Sequence, residues 1–264
     1  MGRAKERIVK VIPAKIATEF VKKHHYSGKV ATTGRIHFGA FLDEKLHGVL
    51  TFGSSIDKNK ILPLVKDTGW NEYLELNRMA FDDYLPKNSE SRCFSIAIKL
   101  IKKNAPHIKW IISFADGCQC GDGSIYRAMG FNLTAIKKNT GMWILPNGEV
   151  IADIITRQVW NESTRKRLGF NMGEKWSEYS KRIGAKKLEG FQLRYIYLID
   201  KSCKITVPIL PFSEIDKAGA GMYKGKKVSL QERKQAFEVN EDKRSASSRE
   251  IGGSNPTQTL NPNS

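Results

Sequence analysis

The chain has 264 residues, of which 40% are hydrophobic, 9% aromatic and 27% charged, and its 44 Lys and Arg outweigh 27 Asp and Glu for a formal net charge of +17. That length buries a full core near the upper size of one domain, and the composition is globular. No apolar run approaches the ~18 residues of a membrane helix, no signal-like block opens the chain, and four scattered cysteines (Cys93, Cys118, Cys120, Cys203) do not make a disulfide framework; the expectation is a cytoplasmic chain without a membrane partner.

Residues 7–12 alternate and read as a first strand. Pro13 opens "PAKIATEFVKKHHYSG", with Ile16, Phe20 and Val21 at helical spacing and Gly28 past the end. "RIHFGAFLDEKLHGVLTFGSS" reads as a β-hairpin turning at Asp43-Glu44-Lys45. "YLELNRMAF" is a strand with Leu74, Leu76 and Met79 on one side. "SESRCFSIAIKLIKKNAP" is an amphipathic helix with Phe94, Ile98 and Ile101 on one face, capped by Asn88 or Ser89. "KWIISFAD" is a buried central strand, "GSIYRAMGF" a short helix closed by Gly130, and "NLTAIKKNTGMWILPNGEVIAD" one or two further strands. "QLRYIYLID" closes the sheet, and Val207 to Phe212 docks on the body. The expected class is α/β (α+β), a mixed central sheet flanked by helices in one catalytic domain over 1–212, followed by a polar, disordered tail over 213–264.

The positive excess attracts polyanions by counterion release, which makes nucleic acid the leading partner. An anionic membrane surface would call for a basic amphipathic helix with a bulky apolar face, which the chain lacks. The segment near 157–194 interleaves Trp160, Phe170, Trp176, Tyr179 and Phe191 with Arg165, Lys166, Arg167, Lys175, Lys181, Arg182, Lys186 and Lys187. It is expected to face DNA through phosphate contacts and base stacking, or to be a solvated helical surface.

Asp116 ends the buried strand, where α/β sheets present their chemistry. It either positions or deprotonates an amino group, holds a metal, or caps the following loop. Tyr126 returns near it if the glycine loop folds tightly, and its phenol either serves an oxyanion or leaving group or packs under the sheet. "LPKNSESR" opens the amphipathic helix, where free amides with Ser89, Ser91 and Arg92 suit an anion and Asn88 stands at the cap. Arg78, on an apolar strand, needs an anionic ligand or a carboxylate such as Glu75 or Asp82. His25 is either a dipole-favoured helix end or a proton carrier or metal ligand beside Asp116, a set that needs one more ligand (Tyr26, His24 or water). Cys118 and Cys120 are a C-x-C pair without zinc-knuckle spacing.

In order along residues 7–200, "HYSG", "LNRMAF", "LPKNSESR", "SFAD" and "GSIYRAMGF" resemble the acyltransferase fold of the Gcn5-related N-acetyltransferases, and more sharply the phage Mom family of bacteriophage Mu. The resemblance implies a strand, phosphate-binding loop, helix, strand and Tyr-containing helix in that order. It implies conversion of adenine to N6-carbamoylmethyladenine in double-stranded phage DNA, on a flipped base, protecting the DNA from host restriction in the host cytoplasm. His25, Arg78, Ser91, Asp116 and Tyr126 would be catalytic, and a metal, iron in the family, would be held by His25 and Asp116. The loop of the acetyltransferases that holds the pyrophosphate of coenzyme A is glycine-rich, and "LPKNSESR" has no glycine, which leaves open an acetyl-CoA-like or other donor. The alternatives are a conventional acetyl-CoA-dependent N-acetyltransferase and a non-catalytic nucleic-acid-binding protein. The oligomeric state stays open, a dimer included.

Overall fold

β1 (Ile8–Val11) lies at one edge of the main sheet and leads into α1 (Ala14–His24). The computed structural model describes residues 6–86, 88–158, 161–229 and 231–232, with the side chains of 156–158 outside the description. α1 buries Ala17, Phe20 and Val21 against Val49 and Ala80, whereas Ile16 is 43% exposed, so the apolar face is rotated from the one expected. β2 (Gly34–Leu42) and β3 (Lys45–Gly53) form the predicted hairpin. Asp43 (φ 50°) and Glu44 (φ 62°) are both left-handed, the backbone of a two-residue turn that follows strand twist.

A short α2 (Lys58–Ile61) and a 3₁₀ turn (Leu62–Leu64) precede β4 (Tyr73–Phe81). Then come α3 (Ser89–Asn104), β5 (Trp110–Gly117), α4 (Ser124–Ala128) and β6 (Asn132–Lys138), the strand–loop–helix–strand–helix order the resemblance implied. α3 packs Phe94, Ala97, Ile98 and Ile101 into the main core. Trp110, Ile111 and Ile112 of β5 are fully buried, each worth about 1.5–3 kcal/mol in apolar burial.

Between β6 and β10 (Phe191–Leu198) the chain builds a small lobe from β7 (Met142–Ile144), β8 (Val150–Ala152), α5 (Glu162–Leu168), α6 (Trp176–Arg182) and β9 (Lys186–Lys187). Among the described residues the main sheet runs β1-β2-β3-β4-β5-β10-β6, and the lobe sheet runs β8-β7-β9. Leu210 donates to the Leu133 carbonyl at 2.8 Å and packs with Phe212 on the core, as expected. The chain then remains packed past the expected boundary at 212, through α7 (Ser213–Lys217) and a hairpin of β11 (Met222–Tyr223) and β12 (Lys226–Lys227). Ile215, Ala220 and Met222 are buried in that stretch, so the short apolar positions suffice to dock it. The remainder of the predicted tail, residue 230 and 233–264, lies outside the described residues. Among the described residues no helix is long and apolar enough to cross a membrane.

Two features of β4 place the site. It pairs in parallel with β5 only from Tyr73–Glu75 to Trp110–Ile112, after which the strands run on to Phe81 and Gly117 apart from one another. Its pairing with β3 skips Asn77, which is an extra residue in the ladder and a β-bulge. Strict alternation would give Leu74, Leu76, Arg78 and Ala80 one face. Instead Leu74, Leu76, Met79 and Phe81 pack on the main core, and Ala80 packs against α1. The bulge therefore keeps Met79 with the leucines, as expected, and turns Arg78 away from them.

Candidate active site

Two adjoining cavities occupy the splay between β4 and β5. The smaller, about 250 Å³, is lined by His25, Tyr26, Arg78, Asp116, Cys120 and Tyr126 among others. The larger, about 570 Å³, shares Tyr26, Arg78 and Asp116 and adds Lys29, Glu75, Gln192 and the lobe residues 148–152. The structure thus brings four of the sequence-derived catalytic candidates, His25, Arg78, Asp116 and Tyr126, to one chamber.

Asp116 is its hub. Oδ1 accepts from the Cys118 amide at 3.0 Å and from Gln192 Nε2 at 2.8 Å; Oδ2 accepts from Gln119 Nε2 at 2.6 Å and, at 3.5 Å, from the Tyr26 hydroxyl. Gln192 is the residue paired with Asp116 across β5 and β10, so register alone aims its amide there. The Asp116 carbonyl also accepts from the amides of Gln119, Cys120 and Gly121, which fixes the loop tightly. Asp116 thus caps the loop, as one of its readings had it, while its carboxylate lines both cavities. Tyr26 is 50% exposed overall while its hydroxyl reaches Asp116; burial of that end, then the Asp116 charge, pushes its phenol well above the usual range and keeps it a donor.

His25 follows the end of α1. The Ser27 amide donates to its Nδ1 at 3.2 Å, so that nitrogen is an acceptor and the ring proton sits on Nε2. Burial, then the Arg78 charge, lowers its pKa to about 4, against an opposing pull from Asp116. It is a neutral imidazole near pH 7. Tyr126 packs between Phe131 and Tyr195, at 5.4 and 5.1 Å between centroids, with its hydroxyl 3.5 Å from the Phe114 carbonyl, and burial raises its pKa. Gly123 makes that placement possible: it starts α4 at φ 86°, and a Cβ there would meet the Tyr195 ring at 2.5 Å.

Of the two partners open to Arg78, an anionic ligand or a carboxylate, no ion pair with Glu75 or Asp82 is found among the described residues. Asp82 accepts instead from His47 at 2.8 Å, and the Arg78 guanidinium donates to the carbonyls of Lys29 at 2.8 Å and Asn77 at 2.6 Å. Carbonyls orient the guanidinium without neutralising it, so its charge faces the chamber along with that of the Asp116 carboxylate. Glu75 shares the larger cavity, and burial raises its carboxyl pKa against hydrogen bonds from Ser55 and Asn77. Reasoning from sequence missed Tyr26 as the partner of Asp116, and Gln119 and Gln192 altogether. Of these, the strand pairing of Gln192 was the readable signal.

Ser91 stands elsewhere. With Arg7, Asn88 and Arg92 it lines a cavity of about 500 Å³ at the N-terminus of α3. Neither predicted residue caps that helix. Asn88 takes a left-handed conformation with no side-chain capping bond, Ser91 Oγ donates back to the Asn88 carbonyl at 3.1 Å, and Ser89 Oγ accepts from Arg7 and donates to the Pro86 carbonyl. The Ser89 amide turns back on the Pro86 carbonyl at 3.2 Å, and the N-terminal turn of this sixteen-residue helix stands beside two arginines, an arrangement suited to a phosphate.

The donor set gives the metal expectation no support. His25 Nδ1 is engaged by Ser27, both Asp116 oxygens are taken by amide donors, and among the described residues no group of three or more His, Cys, Asp or Glu is placed to hold an ion. Cys120 lines the chamber as a thiol whose pKa burial raises.

The basic lobe differs from its expected form in one respect. Phe170 and Tyr179 are buried, with Trp176 against them, in a lobe core with Leu145, Ile151 and Leu168, so these rings hold the lobe together and are not free to stack on bases. Trp160 lies outside the described residues. Arg167 binds Glu149 at 2.8 and 3.0 Å, Arg182 binds Glu174 at 2.7 Å, and Lys166 binds Glu162 at 2.7 Å. Arg165 is half-buried beside Met172. Lys175, Lys181, Lys186 and Lys187 are exposed without an ion pair among the described residues. Lys29 reaches across to Glu149 at 3.0 Å and the Val150 carbonyl at 2.8 Å, clamping the lobe over the larger cavity.

A model of the Mom protein family matches residues 6–214. A curated relative, the methylcarbamoylase mom of Escherichia phage Mu, is 36% identical over 138 residues, which is 52% of this chain and 57% of the relative, so the chain spans little more than half of that protein's length. Similar solved structures include the ribosomal-protein-S18-alanine N-acetyltransferase of Escherichia coli, with a TM-score of 0.40, 10% identity and coverage of 78% of this chain and 99% of that one. A GNAT family acetyltransferase of Elizabethkingia anophelis with acetyl-CoA bound gives a TM-score of 0.37, 13% identity and coverage of 73% and 98%.

Proposed function

The chain belongs to the Mom protein family, and from that premise we propose that it is a transferase converting adenine in double-stranded DNA to N6-carbamoylmethyladenine. Such a change would protect phage DNA from host restriction, in the host cytoplasm. The observation that carries the reading is the single chamber of about 250 Å³ lined by His25, Arg78, Asp116 and Tyr126.

Adenine N6 is a poor nucleophile, its lone pair delocalised into the ring, and it is paired and stacked in duplex DNA. The base must leave the helix, at a cost of a few kcal/mol. Asp116 is the group that orients N6: four donors already fix its carboxylate, and the longest of those bonds, from Tyr26 at 3.5 Å, is the one an incoming amine displaces. Oδ2 then accepts the N6 proton as the bond from N6 to the donor's methylene carbon forms and that carbon's bond to its leaving group breaks. Arg78 and the Nε2–H of neutral His25 supply positive potential for the negative charge that the leaving group takes with the bonding pair, and Tyr126 donates its phenol proton to that group. The N-terminal turn of α3, with Ser91 and Arg92 and with Asn88 and Ser89 shaping it, would hold the anionic part of the donor, acetyl-CoA-like or other. That same feature favours, as the second reading, a conventional acetyl-CoA-dependent N-acetyltransferase. Lys175, Lys181, Lys186 and Lys187 would carry the phosphates of DNA.

Expression in bacteria, digestion of plasmid DNA to nucleosides and mass spectrometry of the deoxyadenosine fraction test the reading. A carbamoylmethyl-sized increment is expected, absent in Asp116→Ala with circular dichroism unchanged. Unmodified deoxyadenosine from the unaltered chain refutes it, and acetylation of an amine with acetyl-CoA would favour the second reading.

A further inference from the structure

The β11–β12 hairpin lies beyond residue 214, where the family match ends, yet Met222, Tyr223 and Lys224 line the smaller chamber together with Asp116 and Tyr126. It is pinned to the same glycine loop that shapes the site. The Asp122 amide donates to the Met222 carbonyl at 3.1 Å, the Met222 amide donates to Asp122 Oδ2 at 3.1 Å, and the Gly225 amide donates to the Cys120 carbonyl at 2.8 Å. Asp122 is buried at 2% exposure, so the attachment is rigid. Tyr223, by contrast, is 57% exposed, an aromatic ring at a cavity rim with little protein over it. Lys224 Nζ lies 5.8 Å from the centre of that ring, and Lys224 holds a left-handed φ of 46° at a turn position where Gly or Asn would sit without strain.

We infer that this hairpin is the base-receiving lip of the site: Tyr223 stacks on the extruded base as it enters the chamber, and Lys224 binds the phosphate of the same nucleotide. The inference rests on the DNA-modifying reading above and names the element that receives the substrate. A chamber of about 250 Å³ falls below the ~300–1,000 Å³ of sites that enclose whole drug-sized ligands, which suits a base entering with its sugar and phosphate left outside. A flat ring and a cation side by side match those two parts of a nucleotide. Both residues are positioning residues, since neither touches the reacting nitrogen.

The test is a binding cycle read by fluorescence anisotropy on the full chain. One probe is a short single strand with one adenine flanked by abasic sites; the other is abasic throughout. Tyr223→Ala is expected to weaken binding of the adenine probe roughly 5- to 150-fold, the range of a base–aromatic stack, and to leave the abasic probe unchanged. Tyr223→Phe restores the difference and Tyr223→Leu does not. Lys224→Ala weakens both probes equally and reduces the salt slope by about 0.7. Equal binding of both probes by the unaltered chain and Tyr223→Ala, or rescue by Tyr223→Leu, overturns the inference. Because the readout is binding, absence of plasmid modification would sink the proposed reaction while leaving the result of this cycle standing.

Discussion

Lowering the pH from 8 to 5 should destabilise the fold through His25. The unfolded imidazole takes its proton near 6.5 and the folded one only near 4, so between those values the unfolded chain binds more protons. Stability is full above 6.5 and falls as pH drops towards 4. With one pKa unit worth about 1.4 kcal/mol, linkage gives a loss of about 2 kcal/mol at pH 5 relative to pH 8. For a domain of this size that is a Tm shift of roughly 4–8 °C. Other groups titrate in the same range, so the quantity to measure is the difference between the chain and His25→Gln, by urea denaturation at pH 8, 6.5 and 5. The unaltered chain should lose about 2 kcal/mol more than the variant between pH 8 and 5. Parallel curves would show that His25 is not held neutral, and its assigned role as an Nε2–H donor beside Arg78 would fall with them.

Gly123→Ala combines a left-handed backbone with a Cβ 2.5 Å from the Tyr195 ring, and should cost about 2 kcal/mol or more in thermal or urea unfolding. Gln192→Leu removes one orienting donor from Asp116 and should lower kcat of DNA modification about tenfold with the DNA affinity unchanged; a pure affinity loss would contradict the orienting role. Replacing Lys181, Lys186 and Lys187 together by Ala should flatten the salt dependence of duplex binding by about 0.9 for each phosphate no longer neutralised, and an unchanged slope would move the DNA surface elsewhere.

Much of the architecture was legible because periodicity reports burial. α3 and the buried run of β5 were plain from apolar spacing, and the β2–β3 turn from a short polar break between alternating runs. Asp116 and Tyr126 could be paired because a glycine loop of fixed length joins a strand end to a helix. The surroundings of Arg78 were not legible because alternation presumes an unbroken ladder, and a bulge is invisible to it. The aromatics of the lobe read as a stacking surface because sequence gives ring and charge but not which side of a helix faces inward; Phe170 and Tyr179 prove to be core. The docked hairpin escaped notice because it buries few residues and owes its place to backbone bonds with Asp122 and Cys120, which leave no apolar pattern.

The supernumerary residue in β4 acts as a shim. Skip Asn77, and the strand keeps an ordinary rhythm: Leu74, Leu76, Met79 and Phe81 pack on the interior, while Glu75 and Arg78 alternate with them. Excising that one position would therefore leave every neighbour on its own side and let the hydrogen bonds to β3 run uninterrupted. What would vanish is the kink, because an inserted residue bends its strand and steepens the local twist. The bulge falls just past Glu75, the last residue of β4 to pair with β5, at the place where the two strands part. The opening is thereby tied to a count of residues as well as to the identity of its lining, since the extra position, Asn77, both interrupts the ladder and supplies a carbonyl that holds Arg78.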